Sequence, residues 1–163
     1  MTDNSLAKVE FREKVTATEA GMKAAIAAGN LYDAEPDCPV SHHFTPLSDK
    51  YGCAVYGREI FLKAGTMVIG KLHRHAHLNV ISAGAVLVNT EFGAKKYSAP
   101  CTFISEPGLK RAVVAIADTV WTTVHLTDSP GEENLDIIED EVISPTYEEM
   151  GLLDNTKLLR GES

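Results

Sequence analysis

The stretch that decides the fold runs from Gly65 to Gly84, GTMVIGKLHRHAHLNVISAG. Within it His73, His75 and His77, three of the chain's six histidines, fall at alternate positions between runs of Val, Ile, Leu and Met. Side chains alternate faces along a strand, so this spacing predicts three imidazoles on one sheet face. Titratable rings buried side by side are costly unless each finds a partner. A transition metal partners them economically: residues i and i+2 lie roughly 7 Å apart at the backbone, and their ring nitrogens can converge on one ion at about 2.0–2.1 Å. His77, about 13 Å from His73 along a straight strand, joins them only where the chain bends. The alternative is a polar pocket wall or a stack of surface histidines.

On either side of this stretch, from Cys53 to Asp128, the sequence keeps a β texture. Val55–Leu62, Thr66–His73, Asn79–Val88, Lys95–Ser105 and Arg111–Leu126 are rich in Val, Ile, Thr and aromatics. Ala64-Gly65, Ala83-Gly84, Phe92-Gly93 and Pro107-Gly108 punctuate them, a rhythm that fits a small antiparallel sandwich or barrel. Residues 1–50 read differently. Ser5 to Gly29 holds good helix formers in one or two amphipathic helices closed by Gly29-Asn30. Asp33 to Asp49 carries loop chemistry, with Glu35-Pro36, Cys38-Pro39, His42-His43 and Thr45-Pro46, and reads as a long connection or arm. Residues 129–163 form an acidic C-terminal region: Leu135, Ile138 and Val142 predict a short amphipathic helix ending before Pro145, with a partly ordered tail from Gly151.

Composition limits the function classes. A chain of 163 residues with 44% apolar content suits one domain with a hydrophobic core. No run of 18 apolar residues and no basic, apolar leader is visible, which predicts a protein of the cytoplasm with no membrane partner. Cys38, Cys53 and Cys101 are odd in number and scattered, as in a reducing compartment. The formal net charge of −8, without clustered Lys or Arg, argues against a nucleic-acid partner.

Gly65, then His73-x-His75, then a strand ending at Gly84, and later Pro107-Gly108 before Arg111, resemble the two motifs of the cupin superfamily over Cys53 to Asp128. The resemblance implies a mainly β fold: a small antiparallel cupin (jelly-roll) β-barrel over residues 51–128, with an N-terminal helical segment and a short C-terminal helix. It also implies a divalent transition metal, Zn, Mn, Fe or Ni, held by histidines. His73 and His75 match the HxH pair, and His77 stands where the family has a Glu or Gln. Arg111 replaces the second motif's histidine, and guanidinium is no metal ligand. His125 is the candidate for the remaining position, because Trp121, Thr123 and His125 alternate along the last strand and share a face. Arg111, Trp121 and Thr123 are candidate ligand-binding residues, although Trp121, the one tryptophan, reads first as core and second as a stacking wall of the pocket. His42 and His43 read as loop-anchoring residues. Arg58-Glu59 reads either as an ion pair or as an arginine at the pocket mouth.

The longer pattern Cys38-Pro39-x-x-His42-His43-Phe44, Tyr56-Gly57-Arg58-Glu59-Ile60-Phe61 and Asp118-Thr-Val-Trp121-Thr-Thr-Val-His125 is similar to small cupins encoded by bacteriophages. That similarity implies a host-cell cytoplasmic setting and a homodimer. Two functions follow. One is metal-dependent catalysis on a small anionic metabolite, with a base supplied by Glu59, Glu91 or Tyr97. The other is a non-catalytic protein that sequesters a small anionic or nucleotide signal through Arg111.

Overall fold

The computed structural model describes residues 3–152, so the expected tail beyond Leu152 lies outside the described residues. Helix α1 (Asp3–Ala27) is followed by β1 (Val40–Phe44), β2 (Ala54–Leu62), β3 (Met67–Ile69), β4 (Leu72–His73) and β5 (His77–Ala83). Then come β6 (Ala85–Thr90), β7 (Gly93–Ser98), β8 (Cys101–Ser105), β9 (Ala112–Ala115), β10 (Thr119–Thr127), α2 (Leu135–Val142) and β11 (Ile143–Ser144). Every strand pairing is antiparallel. The fold is thus mainly β, with a helix near each end, as expected.

Hydrogen bonding groups the strands into a five-stranded sheet, β1-β2-β10-β5-β8, a four-stranded sheet, β3-β9-β6-β7, and the short pair β11-β4. The two large sheets meet through Leu62, Ile81 and Trp121 on one side and Val86, Val88, Val113 and Ala115 on the other. Each such side chain withdrawn from water contributes about 1.5–3 kcal/mol before entropy is counted. Gly84 turns the chain between β5 and β6 at φ +82°, and a Cβ there would lie 2.1 Å from the Asp118 carbonyl oxygen. Only glycine fits that turn.

α1 is a single helix. Val15 and Phe11 pack on Leu72 and Tyr147, which explains why the irregular apolar spacing did not break it. It ends as Gly29-Asn30 predicts: Gly29 takes φ +72°, its N–H donates to the Ile26 carbonyl at 2.9 Å, and the Asn30 N–H donates to Ala25 at 2.8 Å. Arg12 clamps the helix to the β6–β7 turn through a two-pronged pair with Glu91, 2.7 and 2.9 Å, and donates to the Leu152 carbonyl at 3.0 Å. α2 buries Ile138 and Val142 against Tyr56, while Asp136, Glu139, Asp140 and Glu141 face solvent.

The segment from Asp33 to Asp49 departs from the loop-arm expectation. Val40–Phe44 pairs along β2 as the edge of the five-stranded sheet, with His42 and Phe44 half-buried and Ser41 and His43 exposed. Flanking Pro39 and Pro46 obscured a five-residue alternation that tertiary pairing completes. Longer predicted runs divide: Thr66–His73 at Gly70-Lys71, Lys95–Ser105 at Ala99-Pro100, and Arg111–Leu126 at Ile116–Asp118. Among the described residues, no helix is long and apolar enough to cross a membrane.

Candidate metal centre

Register orders the inner face of the five-stranded sheet into rows. Val40, Ile60, Trp121, Ile81 and Cys101 stand side by side, an almost wholly apolar row continuous with the core. Two residues further along the strands come His42, Arg58, Thr123, Asn79 and Phe103. The next row holds Phe44, Tyr56 and His125, and beyond them His77 opposite Ser105. Polarity therefore rises toward one end of the sandwich, because the same strands alternate inward side chains of different chemistry.

His73 reaches this end from β4. The strand stops at Arg74–Ala76, where the chain bends before β5 begins at His77. Three contacts hold the bend: the Arg74 N–H donates to Val142 at 2.8 Å, the Arg74 side chain to the Ile143 carbonyl at 2.9 Å, and the Gly108 N–H to the His73 carbonyl at 2.9 Å. The bend brings the His73 and His77 rings to 4.0 Å between centroids, with His125 5.0 Å from the first and 4.8 Å from the second. One ligand atom from each of these three lies within 4.8 Å of the others. His75 is placed differently from the alternation prediction. It sits exposed in the bend, outside the three-histidine group, because the strand that would have kept it on their face is interrupted. It stays close enough for its charge to lower His125.

Burial keeps these rings neutral. Desolvation first, then the charges of His77, His125, Arg111 and Arg58, push His73 down to about 2. Desolvation and Arg111 bring His77 to about 4, and desolvation with His77 and Arg58 brings His125 to about 4. Neutral imidazole is the form that ligates a metal. His73 Nδ1 is buried and has no hydrogen-bond partner among the described residues. The His77 Nδ1 faces the His75 carbonyl at 3.3 Å and must donate to it, so the lone pair sits on Nε2, where it accepts from Arg111 at 3.2 Å. The residues thus suit a borderline-soft divalent cation.

Arg111 is buried beside this cluster without a carboxylate. Its guanidinium donates to Ser105 Oγ, to Asn79 Oδ1 at 3.4 Å and to His77 Nε2 at 3.2 Å, and lies 5.7 Å over the Trp121 ring. Desolvation lowers it to about 10. Trp121 serves both expectations, closing the core on one side and donating its indole N–H to Asn79 Oδ1 at 3.0 Å on the other. Thr123 stands in the row between Arg58 and Asn79, its hydroxyl donating to the Arg58 carbonyl at 3.4 Å.

Of the candidate bases, Glu59 and Glu91 are engaged elsewhere, and Tyr97 lies near enough for its charge to act on Arg111. Glu91 is bound to Arg12, Glu59 faces the outer side of the sheet with Thr122, and Tyr97 stacks on Phe103 at 4.2 Å. Tyr56, not singled out in the sequence, stands beside His125 with its hydroxyl 2.7 Å from His42 Nδ1, and burial raises its pKa. Asn79 and Ser105 were missed too, although Asn79 continues the alternation from His77.

No family model matches this chain, and no curated protein does. Solved structures with a similar fold include a cupin superfamily protein from Desulfitobacterium hafniense, at 13% identity over 55% of this chain and 79% of that one, TM-score 0.43. KdgF from Halomonas sp. is 18% identical over 64% of this chain and 90% of that one, TM-score 0.46. Salicylate 1,2-dioxygenase from Pseudaminobacter salicylatoxidans is 12% identical over 82% of this chain and 36% of that one, TM-score 0.49.

Proposed function

We propose that this chain is a cupin that holds one divalent transition metal, Zn, Mn, Fe or Ni, on His73, His77 and His125, and binds a small anionic molecule against Arg111. One observation carries it: three buried imidazoles, kept neutral, with ligand atoms within 4.8 Å of one another. Packing explains this poorly, since the His73 Nδ1 is buried without a hydrogen-bond partner among the described residues and its ring loses hydration. His75 at the entrance is the candidate fourth ligand. A metal bound here would supply Lewis-acid or redox chemistry to a coordinated oxygen.

The chain's own groups favour an anion. Arg111 has only neutral partners, and a buried guanidinium without an opposite charge is costly. Trp121 covers one face of it, and Asn79 and Ser105 fix its fork. A carboxylate entering beside His77 would give this cation its missing counter-charge. Tyr56, hydrogen-bonded to His42, offers a hydroxyl at the His125 side that can donate to the same ligand. The second reading, a protein that holds its ligand unchanged, is favoured by the positions of Glu59 and Glu91, both turned away from the site. We further propose a phage-type protein acting as a homodimer in the host cytoplasm, with Val55, Leu78, Ile104 and Leu126, exposed on the outer face of the five-stranded sheet, as the dimer surface.

Elemental analysis of protein reconstituted with each metal tests the central reading. Close to one ion per chain is expected, lost in His73→Ala and in His125→Ala. Retention in His75→Ala would define a three-histidine site and loss a four-histidine one. Wild-type protein without stoichiometric metal after reconstitution would overturn it.

A further inference from the structure

The arginine row contains a second cation that nothing in the fold explains. Arg58 is half-buried on β2, and its guanidinium makes no hydrogen bond or ion pair with any described residue. The adjacent Glu59, its partner in the ion-pair expectation, points to the opposite face and accepts from Thr122 at 3.4 Å. Register places Arg58 inward, directly beside Thr123 on one side and His42 on the other. Thr123 in turn pairs with Asn79, which accepts from Arg111. Two arginines thus approach one row of the sheet from either side of Thr123. The backbone positions of Arg58 and Asn79 are two strand spacings apart, about 10 Å.

We propose that Arg58 and Arg111 form a two-arginine clamp for a short dicarboxylate, with one carboxylate at Arg111 and the metal and the other at Arg58. The clamp names the ligand class for the anion pocket and rests on that reading. Arg111 is buried and Arg58 half-buried, and neither forms an ion pair with any described residue. A monoanion satisfies one of them, whereas a molecule with two acidic groups a few bonds apart satisfies both. The hydroxyl of Thr123, which stands in the row between Arg58 and Asn79 and donates to the Arg58 carbonyl, has lone pairs left to accept from a ligand hydroxyl.

Calorimetric titration of metal-loaded protein with malonate against propionate, and succinate against butyrate, tests the clamp. At least one diacid should bind tenfold or more tightly than the monoacid of equal length. Arg58→Met should bring that ratio close to one with metal content unchanged, Arg58→Lys should restore part of it, and Arg111→Met should weaken both acids. Because Arg58 has no hydrogen-bond or ion-pair partner among the described residues, Arg58→Met should melt no lower than wild type in the absence of acid. Equal binding of mono- and diacid, no binding of either, or a ratio that survives Arg58→Met would each overturn the proposal. The same titrations on chelator-treated protein separate the two readings. An Arg58-dependent ratio in protein that takes up no metal refutes the metal centre and leaves the clamp standing. A metal-loaded protein without the ratio refutes the clamp alone.

Discussion

Acidification of the metal-free protein should unfold it well above the pH at which carboxylates matter. His73 is held at about 2 and His77 and His125 at about 4, against 6.5 for the ordinary side chain. A lowered folded value means that the unfolded chain binds protons first as pH falls. The contribution of these rings is therefore complete above about pH 6.5 and drains away as pH falls, toward 4 for His77 and His125 and toward 2 for His73. Between pH 7.5 and 5 each ring forfeits about 2 kcal/mol by this linkage, or about 6 for three. Entry of water after the first protonation trims that sum to roughly 4–6, comparable with the whole stability of a typical domain, ~5–15 kcal/mol. Glu19, held low by Lys110 and Lys23 against the opposing effect of burial, loses its contribution only below its ordinary value of 4.5 and so lies outside this window. Urea unfolding of chelator-treated protein at several pH values, followed by fluorescence of Trp121, the chain's one tryptophan, measures the slope. His77→Gln combined with His125→Gln should flatten most of it. A loss under about 1 kcal/mol in wild type, or an equal slope in the double variant, would refute the picture of buried, neutral imidazoles.

Two further outcomes concern the scaffold. Glu91→Gln leaves the Arg12 guanidinium buried without its counter-charge and should cost about 3–5 kcal/mol in chemical denaturation; a change below 1 would mean that α1 is held by its apolar face alone. Light scattering at tens of micromolar should give twice the chain mass, and Leu126→Asp with Ile104→Asp should halve it; a wild-type monomer would remove the homodimer.

The histidine stretch was readable because alternation and residue type both survive in one dimension. His125 was readable for the same reason, since Trp121, Thr123 and His125 keep period two on a long, regular strand. What the stretch did not reveal is its own interruption. β4 ends because Leu72 and His73 pair with Ser144 and Ile143, some seventy residues away, and because Arg74 turns to cap that junction. No local propensity at Arg74–Ala76 announces this, and so the ring that leaves the face, His75, could not be told from those that remain. Tyr56 and Arg58 were obscure for a related reason. Their meaning lies in the cross-strand rows, and rows are a property of register rather than of sequence. His42 was hidden by its prolines, which read as loop until an edge strand pairs beside them.

The short clasp between β4 and β11 makes the site a late event in the life of the chain. His73 can be held in place only after residues 143 and 144 exist to meet its strand, although His77 and His125 already belong to the large sheet. A growing polypeptide therefore presents a sheet with two imidazoles long before it presents three, and contacts of such sequence separation close slowly. A cation offered before the clasp forms would meet two imidazoles rather than three and would be held more weakly. On the proposed reading, metal selection is deferred to the finished molecule, and pulling residues 143 and 144 away from β4 would loosen the hold on the ion.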